Sequence, residues 1–172
     1  MTKPVTLEVF FDYSSPWTYL ALSQLEGLLE RHPTCQVHYK PILVGGIFNK
    51  VNPSVYEARK STPVPSKLRY TGKDMLEWAA AYGLVIHNPY DIDPRKRVTP
   101  FPVNSIKSLR GALYAEKHGL LSDYSFRVFH SYWGLCLDIS QDSILKSIAQ
   151  QSGLDVADFM DFIASHEAKA SI

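Results

Sequence analysis

Val5-Thr6-Leu7-Glu8-Val9-Phe10-Phe11-Asp12-Tyr13-Ser14-Ser15-Pro16-Trp17-Thr18-Tyr19-Leu20-Ala21 changes period halfway along. Val5, Leu7, Val9 and Phe11 alternate with Thr6, Glu8, Phe10 and Asp12, the period of two that a strand shows. At Ser14-Ser15-Pro16 a hydroxyl residue stands at an N-cap position with proline in the first turn, and Trp17, Ala21, Leu25 and Leu28 follow at helical spacing. The pattern predicts one helix ending near His32-Pro33, then a second strand over Gln36 to Leu43. Two strands joined by a helix form a βαβ unit, with parallel strands and a right-handed crossover.

Outward from this unit the composition shifts. Gly45-Gly46 is expected to end it, and the proline-containing, polar stretch Asn49 to Pro65 reads as a long surface excursion. The remainder reads as helical. Ser66 to Tyr82 carries Met75, Trp78, Ala79 and Tyr82 on a helical period, interrupted by Gly72 and ended by Gly83. His87 to Phe101 is a second loop. Further helices are expected after a cap at Asn104 or Ser105, after Ser122 with Phe126, Phe129, His130 and Trp133 on one stripe, and after caps at Ser140 and Asp155. No repeat or heptad is present, and no segment after Gly46 alternates as a strand.

The chain has 172 residues, 45% apolar side chains and a net charge of +1. A chain of this length buries roughly 70% of the surface it exposes when unfolded, so it can hold a core without disulfides or metal. Scattered lysines and arginines at near-zero net charge argue against a nucleic-acid partner. Arg95-Lys96-Arg97 reads as a solvated stretch of loop. No run is long and apolar enough for a membrane span, and no signal-peptide core follows Met1, which gives a cytoplasmic expectation with no membrane partner. Cys35 and Cys136 are far apart and read as half-buried thiols. The six histidines show no metal-binding spacing, no G-x-S-x-G elbow is present, and Gly45-Gly46 lacks a phosphate-loop pattern. No metal is expected.

Ser15-Pro16 is the sharpest local feature. Unpaired N–H groups and the positive helix end favour an anion such as a thiolate there, by roughly 0.3–1 kcal/mol at an exposed site. A plain helix start explains the same residues. Lys67, Thr71, Asp74 and Trp78 recur at spacings that put polar groups on one helix face, either a solvated ladder or a cleft wall opposite the first helix.

Phe10-Phe11-Asp12-Tyr13-Ser14-Ser15-Pro16-Trp17-Thr18-Tyr19-Leu20-Ala21 resembles the opening of the 2-hydroxychromene-2-carboxylate isomerases and the kappa-class glutathione transferases, in the DsbA-like branch of the thioredoxin superfamily. Three further segments are similar to that family: Pro41 to Phe48; Val64-Pro65-Ser66-Lys67 with Tyr70, Asp74, Trp78-Ala79 and Gly83; and Phe101-Pro102-Val103-Asn104 with Arg110. The resemblance implies an α/β fold, a thioredoxin-like βαβ with a large inserted all-helical domain: residues 1–46 as the N-terminal half, 47–165 as the insertion and 166–172 as the start of a return segment. The family's C-terminal ββα half, with its G-V-P-T motif, has no counterpart in these residues, so the fold is expected without it.

Where DsbA-like oxidoreductases carry C-P-x-C, this chain has Ser15-Pro16-Trp17-Thr18, which cannot run disulfide exchange. The resemblance implies glutathione as cofactor, with Ser15 donating to its sulfur as the catalytic residue. It also implies glutathione contacts from Lys67 and Asn52, and contacts to a small aromatic substrate from Trp17, Lys67, Asp74 and Asn104. Asn104 can equally be a plain helix cap. The implied activity is a glutathione-dependent isomerase, with a kappa-like transferase or peroxidase, or a truncated silent relative, as alternatives. A two-stranded βαβ unit with open edges is expected to dimerise.

Overall fold

In the computed structural model, which describes residues 4–54, 57, 64–90 and 101–172, the opening segment forms β1 (Val5–Phe11). It pairs in parallel with β2 (Cys35–Pro41), Val5 opposite Cys35 through to Phe11 opposite Pro41. Residue-for-residue register puts Leu7, Val9 and Phe11 on one face with Val37, Tyr39 and Pro41. The other face carries Thr6, Glu8, Gln36, His38 and Lys40 in the open, with a 3.9 Å Glu8–Lys40 ion pair that contributes little at the surface. The apolar alternation reports burial from Leu7 onward, whereas Val5 at the start of β1 is exposed, as is Phe10 on the polar face.

The crossover departs from the single predicted helix. It is two helices, α1 (Pro16–Ser23) and α2 (Leu25–Arg31), meeting at Gln24. The Ser23 hydroxyl bonds back to the Leu20 carbonyl at 2.8 Å, and Gln24 N–H reaches the Ala21 carbonyl, three residues back, at 3.2 Å. This local competition interrupts the regular ladder. The buried face is correspondingly Pro16, Tyr19, Leu20 and Leu25, while Trp17 and Ala21 of the expected stripe are exposed.

Gly45-Gly46 does not end the unit; it lies in the first turn of α3 (Val44–Val51). Two glycines disfavour a helix by about 1 kcal/mol each relative to alanine, and the start is held instead by a distant acceptor, Asp12 Oδ2, 2.9 Å from Val44 N. The excursion expected from Asn49 does not begin there, since Asn49 to Val51 belong to α3; its residues 55, 56 and 58–63, and the Arg95-Lys96-Arg97 stretch, lie outside the described residues.

The next helix agrees with its pattern. α4 (Pro65–Ala81) begins on proline and stops before Gly83, whose φ of +68° suits a residue without Cβ. Gly72, read as an interruption, is a buried packing site where an added Cβ would lie 2.6 Å from Asn88 Nδ2.

α5 (Ile106–Lys117), α6 (Leu121–Phe129), α7 (Asp142–Gln151), α8 (Val156–Ala164) and α9 (His166–Ala170) follow. After α6 the chain makes a π-helical turn, His130–Gly134, closed by Leu135 N to the His130 carbonyl at 2.9 Å. The wider turn shifts the phase after Phe129, so Tyr132 is buried beside Trp133; Phe126 of the expected stripe, in α6 before the turn, is 51% exposed. Asp155 caps α8 through Asp158 N at 2.9 Å, as read. Ser140 does not cap α7, because its hydroxyl is taken by Asp138 at 2.6 Å and Gln141 occupies the cap position.

The core runs from the end of β1 into these helices. Tyr13 packs edge-on to Phe129 at 4.8 Å, Tyr19 stacks on Phe129 at 5.2 Å, and Trp133 Nε1 donates to the Tyr13 carbonyl at 3.0 Å. The turn between β1 and α1 is thus embedded in the helical layer, which fixes where Ser15 points. Among the described residues no strand follows β2, and no helix is long and apolar enough to cross a membrane.

Candidate active site

Asp12, the last residue before the turn, is 1% exposed, and its carboxylate is fully engaged. Oδ1 accepts from Ser14 N at 2.9 Å and from the Ser105 hydroxyl at 2.6 Å, while Oδ2 accepts from Val44 N. Its carbonyl accepts from Ser15 N at 3.0 Å. These bonds deliver Ser15 to the N-cap of α1 in an extended conformation, φ −104° and ψ 116°. There Ser15 Oγ accepts from Thr18 N at 3.3 Å. A hydroxyl carries one donor and two acceptor positions, so accepting from Thr18 leaves the Ser15 O–H free to donate.

Ser15 lies on the wall of a cavity of about 610 Å³, a size suited to a small-molecule ligand. The first turns of three helices line it: Ser15, Pro16 and Trp17 of α1, Val44, Gly45 and Gly46 of α3, and Ser105 and Ile106 of α5. Thr18 N, Val44 N and Ile106 N are already paired with Ser15, Asp12 and Asn104, so what these starts offer an anion is chiefly their positive dipole ends, each worth about 0.3–1 kcal/mol at exposed positions. Trp17, Phe48, Tyr90 and Phe101 supply aromatic surface, with Tyr90 edge-on to Phe101 at 5.4 Å. The cavity therefore pairs a site for an anion with a flat apolar wall.

Of the residues expected from sequence, Ser15, Trp17 and Asn104 are brought together here. Asn104 stands one residue before the α5 cap position, which Ser105 occupies, and its Oδ1 accepts from Ile106 N at 3.1 Å in a local turn. Lys67, Asp74 and Asn52 are not among the lining residues: Lys67 is exposed and Asp74 half-buried on α4, and Asn52 sits at the end of α3, where its Oδ1 accepts from the Ser54 hydroxyl. Arg110 instead donates to the Ile163 carbonyl at the end of α8, at 3.4 Å. Neither cysteine lines the cavity, and both are half-buried, with burial pushing the Cys136 thiol up. Among the described residues, no group of three or more His, Cys, Asp or Glu is placed to hold a metal ion.

Sequence reasoning missed Asp12 and Ser105. Asp12 carried a signal, an acidic residue ending the apolar strand where the buried face continues. Ser105 carried none beyond its cap position, because its partner is 93 residues away.

A parallel βαβ opening, with a polar N-cap at the mouth of its first helix and a helical layer closing over it, is a thioredoxin-like architecture with hydroxyls in place of the redox cysteines. Residues 6–172 match the DSBA-like thioredoxin domain, and the chain belongs to that family. It is 27% identical over 165 residues to the 2-hydroxychromene-2-carboxylate isomerase of Sphingobium xenophagum, covering 96% of this chain and 76% of that protein. The solved structure of a 2-hydroxychromene-2-carboxylate isomerase superposes with a TM-score of 0.74 at 22% identity, over 96% of this chain and 74% of that one. The cytosolic disulfide reductase DsbM from Pseudomonas aeruginosa, solved with GSH, superposes with a TM-score of 0.62 at 19% identity, over 97% and 75% of the two chains.

Proposed function

We propose that this protein is a glutathione-dependent isomerase of the 2-hydroxychromene-2-carboxylate isomerase kind. The observation that carries the reading is Ser15: a hydroxyl with its proton free to donate, at the start of α1, on the wall of an aromatic-lined cavity that contains no cysteine among its described residues. The donor set suits an exogenous thiol, since hydroxyls stand at positions 15 and 18 where a redox protein would bring its own sulfurs. The relatives' names support isomerisation, and the GSH in the DsbM structure supports glutathione as the thiol.

Held at Ser15, glutathione would supply a thiolate for reversible addition to a conjugated double bond, the displaced electron pair resting on the conjugated carbonyl until it is returned, so that rotation would need no net oxidation. Ser15 donates its hydrogen bond to the sulfur, and the positive dipole end of α1 favours the thiolate over the thiol. Trp17, Phe48, Tyr90 and Phe101 hold the flat face of an aromatic substrate and keep water from the reacting carbon. Lys67 and Asn52 are the proposed polar contacts for glutathione, and Asp74 and Asn104 those for substrate.

The test follows isomerisation of 2-hydroxychromene-2-carboxylate by absorbance, with and without glutathione, in wild type and Ser15→Ala. Turnover is expected only with glutathione, and the variant is expected to lose about 10²–10³-fold in kcat, the loss typical for a single stabilising donor. Glutathione-independent turnover, or an unimpaired Ser15→Ala, would sink the reading.

A further inference from the structure

We infer that Asp12 is the positioning residue of this cavity, one buried carboxylate that fixes the starts of three helices relative to each other and so sets the geometry in which the thiol is held. The inference rests on the glutathione reading above.

Each of its bonds goes to a different wall. Ser14 N leads into α1, Val44 N is the first residue of α3, and Ser105 precedes the first residue of α5. The bond to Ser14 is local and α1 has its own cap in Ser15, but the bonds to Val44 and Ser105 cross 32 and 93 residues. The α3 cap position is Leu43, which has no side-chain acceptor, and Ser105 sits at the α5 cap position but gives its hydroxyl to Asp12 instead of accepting there. Separate local caps would stabilise each helix without relating one to another. A shared acceptor makes the distances between the three starts part of the hydrogen-bond geometry.

Asp12 is anchored in turn by the end of the sheet, where Ile42 N donates to the Phe11 carbonyl at 2.9 Å. Among the described lining residues Asp12 and Tyr90 are the titratable groups.

The bonds can be cut one at a time. Asp12→Asn keeps a carbonyl oxygen for Ser14 N and Ser105 but turns an amide N–H toward Val44 N–H, releasing α3. Ser105→Ala releases α5 and leaves the carboxylate in place. Glutathione is titrated into wild type and both variants, with binding followed by tryptophan fluorescence and the bound thiol's ionisation by its ultraviolet thiolate absorbance against pH.

Asp12→Asn is expected to weaken binding by about a hundredfold and Ser105→Ala by about tenfold; in Ser105→Ala, which keeps the carboxylate's charge, the thiolate titration is expected to move toward that of free glutathione. Folded variants that bind and titrate like wild type overturn the role of Asp12 and leave the glutathione reading standing. So does a variant that loses stability alone, with its thiolate titration unmoved. Wild type that fails to bind glutathione overturns the reading and this role together. If Asp12→Asn does not fold, Ser105→Ala decides.

Discussion

The phenol of Tyr13 and the hydroxyl of Ser125 share a 2.8 Å hydrogen bond, both groups buried, across 112 positions of sequence. With the Trp133 indole on the Tyr13 carbonyl, this bond holds the turn that presents Ser15 against the helical layer. Tyr13→Phe leaves Ser125 unpaired and is expected to destabilise by about 1–3 kcal/mol. The double variant Tyr13→Phe/Ser125→Ala removes both polar groups and is expected to recover part of that loss. Urea denaturation of wild type, Tyr13→Phe, Ser125→Ala and the double variant measures the coupling, and strictly additive losses would contradict it.

Burial pushes the Tyr13, Tyr124 and Tyr132 phenols up from the ordinary value of about 10. A raised folded pKa means that the unfolded chain releases its protons first. The stability these neutral phenols contribute is therefore complete below pH ~10 and is lost as pH climbs above it, by about 1.4 kcal/mol per pH unit for each phenol. Urea midpoints measured from pH 8 upward should be flat and then fall beyond pH ~10, less steeply in Tyr13→Phe. A wild-type curve that stays flat above pH ~11 contradicts this.

Ser15 has a capping role and a proposed catalytic role, and Ser15→Asp separates them. Aspartate caps a helix as well as serine does, so melting temperature is expected to hold within a few degrees. Its negative charge stands where the thiolate would sit, so glutathione binding and turnover are expected to be lost. Retained glutathione binding in a stable Ser15→Asp would show that the sulfur lies elsewhere.

Gly111→Ala sets two effects against each other. Helix propensity in α5 favours alanine by about 1 kcal/mol. The new Cβ, however, would overlap Tyr124 Oη and lie 2.8 Å from Phe159 Cζ, both in the core. Tyr124 cannot swing away freely, because its hydroxyl donates to the Ser108 carbonyl at 3.1 Å. Overpacking is expected to win, with a net loss of about 1–3 kcal/mol measured by thermal melting. A stabilised Gly111→Ala would mean that the core repacks around it.

Lys67 stands exposed on α4, so its proposed contact with a carboxylate would act mainly through charge. Lys67→Ala is expected to raise the KM for glutathione severalfold with kcat unchanged, and the difference from wild type should shrink as salt is added. A fall in kcat at unchanged KM would place Lys67 in the chemistry instead of in binding.

The amino-acid sequence by itself determined β1, β2 and the helical character of their crossover, the Ser15 N-cap, α4 with its glycine stop and the Asp155 cap, because each is governed by residues within a turn or a strand's length of one another. That the strands pair in parallel across about thirty residues followed from the handedness rule for βαβ units. Tertiary structure alone decided three other features: a helix begins on Gly45-Gly46, the aromatic stripe shifts phase after Phe129, and Ser105 serves Asp12 instead of its own helix. The cavity belongs with these. Its walls come from segments that meet only when Asp12 finds Val44 and Ser105, 32 and 93 residues on, and local periodicity carries no record of partners so distant.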